Sequence, residues 1–148
     1  MRLQSAIFML EDTLLRGDGT AREGLDKVLS IFKMESVWLY AVTENTHAEG
    51  EEELKKAGLA DYFRGVLSPE IARCPYDSGT MFERAMKRML SDKQDTVVFA
   101  GRLAAIENAK AAGFRTVAVS GAADAEEWAK MTALATESLE RYGDYLEK

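Results

Sequence analysis

Short apolar runs alternate with amphipathic helical patterns along almost the whole chain, and this alternation limits the fold more than any other feature. Five runs are predicted as strands, at residues 6–10, 36–43, 65–68, 95–101 and 115–120. Helical patterns of about 10 to 15 residues separate most of these runs. A helix between two strands returns the chain to the same edge of a sheet, so the pattern predicts β-α-β units. The expected fold is therefore α/β, with a five-stranded, mainly parallel sheet flanked by helices.

Four segments have the spacing of a helix start, in which a Thr or Asp caps the first turn and a Glu follows three residues later. They are Thr20 with Glu23, Thr46 with Glu49, Thr80 with Glu83, and Asp124 with Glu127. Each pair predicts that a helix begins there. A further helix is predicted at residues 103–112, a loop at 69–77, and a helical piece over the last dozen residues, 137–148.

Composition and net charge limit the classes of protein to which this chain can belong. The chain has 148 residues, 47% of them hydrophobic and 30% charged, which is typical of one globular domain spanning residues 1–148. Its apolar runs are far shorter than the roughly 20 residues that span a bilayer, and no secretory signal is visible. A single cysteine excludes an intramolecular disulfide, so a cytoplasmic location without membrane contact is expected. The net charge of −6 argues against nucleic-acid binding.

The first apolar run ends abruptly in the polar residues Glu11, Asp12 and Thr13. In an open parallel sheet, ligands bind in the crevice at the carboxyl ends of the strands. A polar sequence directly after a buried strand therefore predicts a site at this position. Met9, in the same run, is favoured as a core residue.

This stretch resembles the first motif of the haloacid dehalogenase-like (HAD) superfamily, where an apolar strand leads into Asp-x-Asp-Gly-Thr-Leu. Met9 stands at the position of the nucleophilic aspartate, Glu11 at that of the second aspartate, and Asp12 at that of the glycine. Thr13 and Leu14 match the motif. The resemblance implies a three-layer Rossmann-like domain and, in the family, phosphatase-like hydrolase activity.

The other family motifs follow in order, so that the resemblance covers about residues 4–147. The second motif is an apolar strand ending in a hydroxyl residue, here Thr43 followed by Glu44 and Asn45. In the family that hydroxyl and neighbouring amides hold the transferring phosphoryl group. The third motif is a lysine before a helix, and here Cys74 stands at its position with Arg73 beside it.

The fourth motif is an apolar strand followed by Gly-Asp and a second acid. In this chain Gly101 is followed by Arg102, and Ala105 stands where the second acid is expected. About 30 residues separate the first motif from the second, and about as many the second from the third. Neither gap has room for another folded unit, so no cap domain is expected.

These substitutions predict a degenerate site with no catalytic residue and no metal ligand. The thioether of Met9 cannot form the phospho-aspartate that the family mechanism requires. Magnesium, the cofactor expected of the family, loses ligands at Met9, Arg102 and Ala105. A unit charge about 4 Å from a divalent ion costs on the order of 8 kcal/mol at an effective dielectric near 20. No cofactor is therefore expected.

The candidate ligand-binding residues are Glu11, Asp12, Thr13, Thr43, Glu44, Asn45, Arg73 and Arg102. Glu11 and Asp12 are interpreted as solvated turn carboxylates, with an acid pair as the alternative. Arg102 either forms a salt bridge to Glu11 or Asp12, or makes an anion site with Arg73, Thr43 and the first amides of the helix after residue 103. His47 is expected to be exposed on a first helical turn, and Cys74 to be a half-buried small residue.

Three hypotheses for function remain. The first is a HAD-like domain without enzyme activity, acting in binding or regulation, with a phosphate or a phosphorylated small molecule as the candidate ligand. The second is a phosphohydrolase with a non-standard site that uses Glu11 or Asp12 as the acid. The third is a protein-interaction module or homodimer that uses the crevice only structurally.

Overall fold

The computed structural model describes residues 3–145. The strands are β1 (Ser5–Met9), β2 (Trp38–Val42), β3 (Gly65–Leu67), β4 (Thr96–Ala100), β5 (Arg115–Val119) and β6 (Glu137–Leu139). The helices are α1 (Leu25–Met34), α2 (His47–Lys56), α3 (Pro69–Ala72), α4 (Gly79–Arg88), α5 (Leu103–Ala111), α6 (Ala125–Leu134) and α7 (Tyr142–Tyr145). No further folded unit is inserted between these elements in residues 3–145, as expected for a chain without a cap domain.

All strands run parallel, in the order β3-β2-β1-β4-β5-β6. The α/β, Rossmann-like prediction is confirmed, but the sheet has six strands rather than five. The missed strand, β6, lies in the segment predicted to be helical, of which only α7 is a helix and 146–148 lie outside the described residues. Two of the three β6 residues are exposed, so the segment lacks the apolar run that identifies a strand. It is recognised only by its pairing with β5.

Apolar side chains cover both faces of the sheet and make the three layers. On one face, Phe8 and Phe99 stack with ring centroids 4.3 Å apart, and Phe32 of α1 packs against both. On the other face, buried residues of α4, including Met81 and Phe82, join a cluster with Met9. The methionines of α4 are thus part of the core.

Two of the four predicted helix starts are confirmed. Thr46 accepts a hydrogen bond from the Glu49 amide in a full capping box, and Asp124 accepts one from the Glu127 amide. The other two are wrong. Thr20 bonds to the Asp18 carboxylate instead and α1 starts five residues later, whereas α4 is capped by Ser78, two residues before Thr80. The predicted loop at 69–77 also contains the short helix α3.

Four helices end in the same way, at the edge of the sheet where the strands begin. In each, the amide of the residue after the C-cap and the next amide both bond back to carbonyls of the last turn, a Schellman motif. The first of these amides belongs to a residue with positive φ, which is Gly58 after α2 and Gly113 after α5. After α1 and α4 it is Ser36 (φ 60°) and Leu90 (φ 54°). A non-glycine residue in this conformation costs about 1–2 kcal/mol.

Candidate functional site

The strand order reverses at β1, because the chain runs outward to β2 on one side and to β4 on the other. The crevice at the carboxyl ends of these strands is where such sheets bind ligands. It is lined by Met9, Glu11, Asp12, Thr13, Glu44, Tyr76, Asp77, Gly101, Arg102 and Ala105. Its free volume is only about 20 Å³, which is room for about one water molecule. A larger cavity of about 610 Å³ lies between α1 and α7, beside the residues that follow β6, and is lined by charges of both signs.

The turn from Leu10 to Leu14 shapes the crevice. Asp12, which the motif resemblance aligns with a glycine, adopts φ 63°, a left-handed conformation that Asp tolerates better than most residues. The hydroxyl of the buried Thr13 accepts a hydrogen bond from the Gly101 amide at 2.9 Å. Gly101 must be glycine, because a Cβ there would overlap the Asp12 carbonyl oxygen. The turn is thus held closely against the end of β4.

A second contact holds the same turn from the far end of the chain. The hydroxyl of Tyr142, on α7, donates a 2.8 Å hydrogen bond to the Thr13 carbonyl. Burial raises the pKa of Tyr142, so its hydroxyl stays protonated and acts as a donor. The side chain is fully enclosed, which makes this bond difficult for water to replace.

Met9, which the motif resemblance aligns with the family nucleophile, is buried, with 4% of its surface exposed. It belongs to the apolar cluster that includes Val42 and Ala105. The prediction that Met9 packs in the core is confirmed. The thioether offers neither a charge nor a proton at this point of the crevice.

Glu11 is bound rather than solvated. One oxygen of its carboxylate accepts the Thr43 hydroxyl at 2.8 Å, and the other accepts the Glu44 amide at 2.7 Å. The Asn45 amide donates in turn to the Thr43 hydroxyl oxygen at 3.1 Å. Burial raises the pKa of Glu11, and the nearby charges of Glu53 and Glu44 add to the effect, against the lowering by the two hydrogen bonds. Its interpretation as a solvated turn carboxylate is therefore wrong, whereas Asp12 is exposed.

Arg102 pairs with a residue that the sequence did not indicate. Its Nε lies 3.3 Å from the Glu127 carboxylate on α6, and it pairs with neither Glu11 nor Asp12. The same Glu127 oxygen accepts the Leu103 amide at 2.9 Å, at the start of α5. The Glu127 carboxylate thus already binds Arg102 and the first amide of α5, the two groups that were expected to bind an external anion.

The remaining candidates lie at the margin. Arg73 is exposed in a left-handed conformation and does not line the crevice, and Cys74 is half-buried against the apolar cluster. Tyr76 and Asp77 line it instead, and burial, followed by the charge of Asp77, raises the pKa of Tyr76. His47 is half-exposed on the first turn of α2, 3.5 Å from Glu51. Only the loop position after Pro75 could have suggested Tyr76 and Asp77.

No group of three or more His, Cys, Asp or Glu residues within 3–145 is placed to hold a metal ion. No helix in the same range is long and apolar enough to cross a membrane.

Comparisons with known proteins place the chain in a family. The family model described as haloacid dehalogenase-like hydrolase matches residues 11–119. A HAD-like family hydrolase from Streptococcus pneumoniae has a TM-score of 0.81 at 10% identity, over 98% of this chain and 97% of that one. A HAD-superfamily hydrolase of subfamily IA from Geobacter sulfurreducens has a TM-score of 0.77 at 11% identity, over 98% of each chain.

A HAD-like protein of unknown function from Agrobacterium tumefaciens has a TM-score of 0.73 at 18% identity, over 86% of this chain and 59% of that one. A comparison with curated protein sequences gives no match. At these identities the solved structures show the shared fold alone. The family match spans well over half of the sequence, and the chain belongs to the haloacid dehalogenase-like hydrolase family.

Proposed function

We propose that this protein is a catalytically degenerate HAD-like domain with a non-enzymatic, binding or regulatory role. One observation carries the proposal. The Glu11 carboxylate accepts the Thr43 hydroxyl and the Glu44 amide, the donors at the position where the family holds the transferring phosphoryl group. A carboxylate of the protein itself takes the place of the anion.

The residue at the nucleophile position supports this role. A phosphoryl group is transferred through a covalent intermediate only if an oxygen nucleophile or a comparable group attacks it. Met9 carries a thioether and is almost fully buried. Asp12, the other carboxylate of this turn, is exposed to solvent.

The side chains around the crevice do not fit magnesium. Magnesium prefers oxygen ligands in octahedral geometry, including one or two carboxylates. Met9 and Ala105 provide no oxygen from their side chains, and Arg102 brings a positive charge. The Glu11 carboxylate is engaged by Thr43 and Glu44. We therefore assign no step to a metal ion.

A phosphate or a phosphorylated small molecule remains the candidate ligand of the crevice. To bind, it must displace the Glu11 carboxylate and enter a space of about 20 Å³. Glu44 and Glu53 add negative charge near this point. We expect weak binding by the wild-type protein, because the anion must replace an internal competitor of the same charge.

The rival hypothesis, a hydrolase with a shifted constellation, has one observation in its favour. The raised pKa of Glu11 is the property expected of a general acid. In that mechanism the Glu11 carboxyl would donate a proton to a leaving group, and Asp12 would be a second acid.

Hydrolysis of p-nitrophenyl phosphate and of a panel of phosphorylated metabolites, with magnesium, separates the two. The proteins to compare are the wild type, Glu11→Gln, Asp12→Asn and the control Asp18→Asn. Asp18 is an exposed turn carboxylate that bonds to Thr20 outside the crevice. We expect no turnover above buffer for any of them. A turnover that is lost in Glu11→Gln or Asp12→Asn but kept in Asp18→Asn would contradict the proposal and establish the rival.

A further inference from the structure

Another cavity opens at the carboxyl edge of the sheet, beside the crevice. It has a volume of about 230 Å³, several times that of a water molecule. It lies between the loop after β5 and a hairpin, residues 15–21, that is closed by a bridge between Leu15 and Ala21. We call it the hairpin cavity. Its lining includes Asp12, Arg16, Gly17, Arg22, Gly121 and Ala122, of which only Asp12 also lines the crevice.

The guanidinium group of Arg22 is fixed in the wall of the hairpin cavity. Its Nη2 donates a hydrogen bond to the Ser120 carbonyl after β5, and its Cζ lies 5.5 Å from the centre of the Tyr142 ring. The group also packs on Gly121, because a Cβ at that position would lie 2.9 Å from Nη2. Three contacts thus position the side chain, so that little rotamer entropy remains to be lost when a ligand binds.

Arg22 carries its charge without a partner of opposite charge. It has no ion pair with any residue in 3–145. Its Nη1 is buried and has no hydrogen-bond partner in the same range. A guanidinium group that is partly withdrawn from water is usually paired with a carboxylate, because its charge is costly to desolvate. The fold therefore holds an uncompensated positive charge in the wall of the cavity.

The side chains that line the hairpin cavity carry two positive charges and one negative charge. Arg16, in the hairpin, is the second cation, and its Nη1 lies 3.4 Å from the Thr20 hydroxyl. It too has no ion pair within the described residues, 3–145. Asp12 is the acid, and it pairs with neither arginine. The lining therefore favours an anionic ligand.

Three further acids lie near the hairpin cavity but not in its lining. The Asp18 carboxylate accepts hydrogen bonds from the amide and the hydroxyl of Thr20. The Asp124 carboxylate accepts the Glu127 amide at the start of α6. Glu23 is exposed and lines the larger cavity between α1 and α7. These acids weaken the positive potential of the hairpin cavity, but none of them forms an ion pair with either arginine.

Backbone amides at the same place have no acceptor. The amides of Gly17, Gly121 and Ala122 donate no hydrogen bond to a residue in 3–145. All three residues line the hairpin cavity. Free amides beside guanidinium groups are the donors from which proteins build sites for oxyanions.

We propose that the hairpin cavity binds the oxyanion group, a phosphate or a carboxylate, of a small molecule. Arg16 and Arg22 supply the positive charge, and the amides of Gly17, Gly121 and Ala122 supply further hydrogen bonds. The two arginines also line the cavity of about 610 Å³ between α1 and α7. The two cavities therefore adjoin, and the larger one has room for the rest of the molecule.

This site is separate from the crevice. The donors at the crevice are the Thr43 hydroxyl and the Glu44 amide, and neither residue lines the hairpin cavity. Binding at the hairpin cavity therefore does not depend on whether the crevice hydrolyses a substrate.

Four variants change the charge of the protein by one unit each. Arg16→Gln alters an exposed side chain, so that a loss of binding in this variant cannot be attributed to unfolding. Arg22→Gln removes the fixed cation. Asp12→Asn removes the acid from the lining. Arg84→Gln, at an exposed position of α4, makes the same change of net charge on the other face of the sheet and is the matched control.

The test is a titration of the isotope-labelled protein with orthophosphate and, separately, with succinate, at constant ionic strength. The amide signals of Gly17, Gly121 and Ala122 are followed by nuclear magnetic resonance. We expect saturable shifts with at least one of the two anions. The anion that binds at the lower concentration identifies phosphate or carboxylate as the preferred group.

The variants are expected to separate a specific site from general attraction of charge. The Kd should rise about tenfold in Arg16→Gln and in Arg22→Gln, as expected for the loss of a charged hydrogen-bond donor. It should fall in Asp12→Asn, because a like charge is removed from beside the anion. It should change less than about twofold in Arg84→Gln, since a distant surface charge is screened.

Three results would overturn the proposal. The first is the absence of a saturable shift at these amides with either anion. The second is a Kd that is unchanged in both Arg16→Gln and Arg22→Gln, or that rises as much in Arg84→Gln. The third is a saturable shift of the Glu44 amide without one of the Gly121 amide, which would place the anion in the crevice and contradict the proposed closure of that site instead.

Discussion

The two edges of the sheet differ in how completely their side chains are bound by the rest of the protein. At the carboxyl edge, Glu11 is bound by Thr43 and Glu44, and Glu127 binds Arg102, which leaves about 20 Å³ of free space in the crevice. At the opposite edge, where the strands begin, a groove of about 430 Å³ is open to solvent, and the side chains of Trp38 and Leu90 in its lining are exposed. In the crevice at the carboxyl edge, these charged side chains bind one another and the backbone. At the opposite edge, Leu90 is exposed and has a positive φ.

The largest expected effect tests how rigidly the carboxyl edge is closed. Gly101→Ala places a Cβ against the Asp12 carbonyl and disturbs the bond between the Gly101 amide and Thr13. Because the obstacle is backbone, we expect the free energy of unfolding to fall by about 3 kcal/mol, measured by urea denaturation. Gly17→Ala is the control, since nothing lies within 4 Å of its Cβ position. A loss below about 1 kcal/mol for Gly101→Ala would mean that the turn can move.

Tyr142→Phe tests the second contact of the same turn. It removes the hydroxyl that donates to the Thr13 carbonyl and leaves a buried acceptor unpaired. The expected loss is about 1–2 kcal/mol in the free energy of unfolding. Tyr62→Phe is the control, because the Tyr62 hydroxyl makes a longer, 3.2 Å bond to Ser30 at a part-buried position. Equal losses in the two variants would show that the Tyr142 bond has no special weight.

A smaller effect, of opposite sign, tests the strain at the other edge. Leu90→Gly should raise the free energy of unfolding by about 1 kcal/mol, and Gly58→Ala should lower it by about the same amount. Gly58 has φ 76° and open space at its Cβ position, so conformation alone is changed there. Urea denaturation of both variants measures the pair. A lower free energy of unfolding for Leu90→Gly would mean that the Leu90 side chain stabilises the fold by more than its positive φ costs.

The smallest effect concerns pH and compares two carboxylates. The pKa of Glu11 is raised, so its contribution to stability is complete below the ordinary Glu pKa and is lost as pH rises through the raised value. Glu11→Gln should therefore gain stability relative to the wild type as pH rises through that window. The pKa of Asp18 is lowered by its hydrogen bonds to Thr20. Asp18→Asn should therefore show the reverse, and become less stable relative to the wild type as pH rises to the ordinary Asp pKa. Thermal denaturation from pH 3 to 7 measures both slopes, and slopes of the same sign would refute the assignment.

The sequence predicted the layout of the sheet because strand and helix patterns are local. It also placed Thr13 and Thr43 at the site, through their positions after apolar runs. The contacts that close the site were not predictable, since they join distant segments. Glu127 lies 24 residues from Leu103, and Tyr142 lies 129 residues from Thr13. Glu127 belongs only to the helix-start pattern of α6 and Tyr142 to no motif, and only packing of α6 and α7 brings them to the crevice.

Errors at the helix starts have a related cause. Ser78 and Thr80 are both competent caps by type, and only the path of the chain before α4 selects the earlier one. The short strand β6 was missed because its polar residues carry no pattern of their own.

If Glu11 occupies the family's phosphoryl position, as we propose, the Glu44 amide reports on it directly, because it donates to the Glu11 carboxylate. Its nuclear magnetic resonance signal can be followed while orthophosphate and magnesium are added to the wild type and to Glu11→Ala. We predict no saturable shift in the wild type and a saturable shift in Glu11→Ala, where the amide and the Thr43 hydroxyl are released. A saturable, magnesium-dependent shift in the wild type would contradict the account.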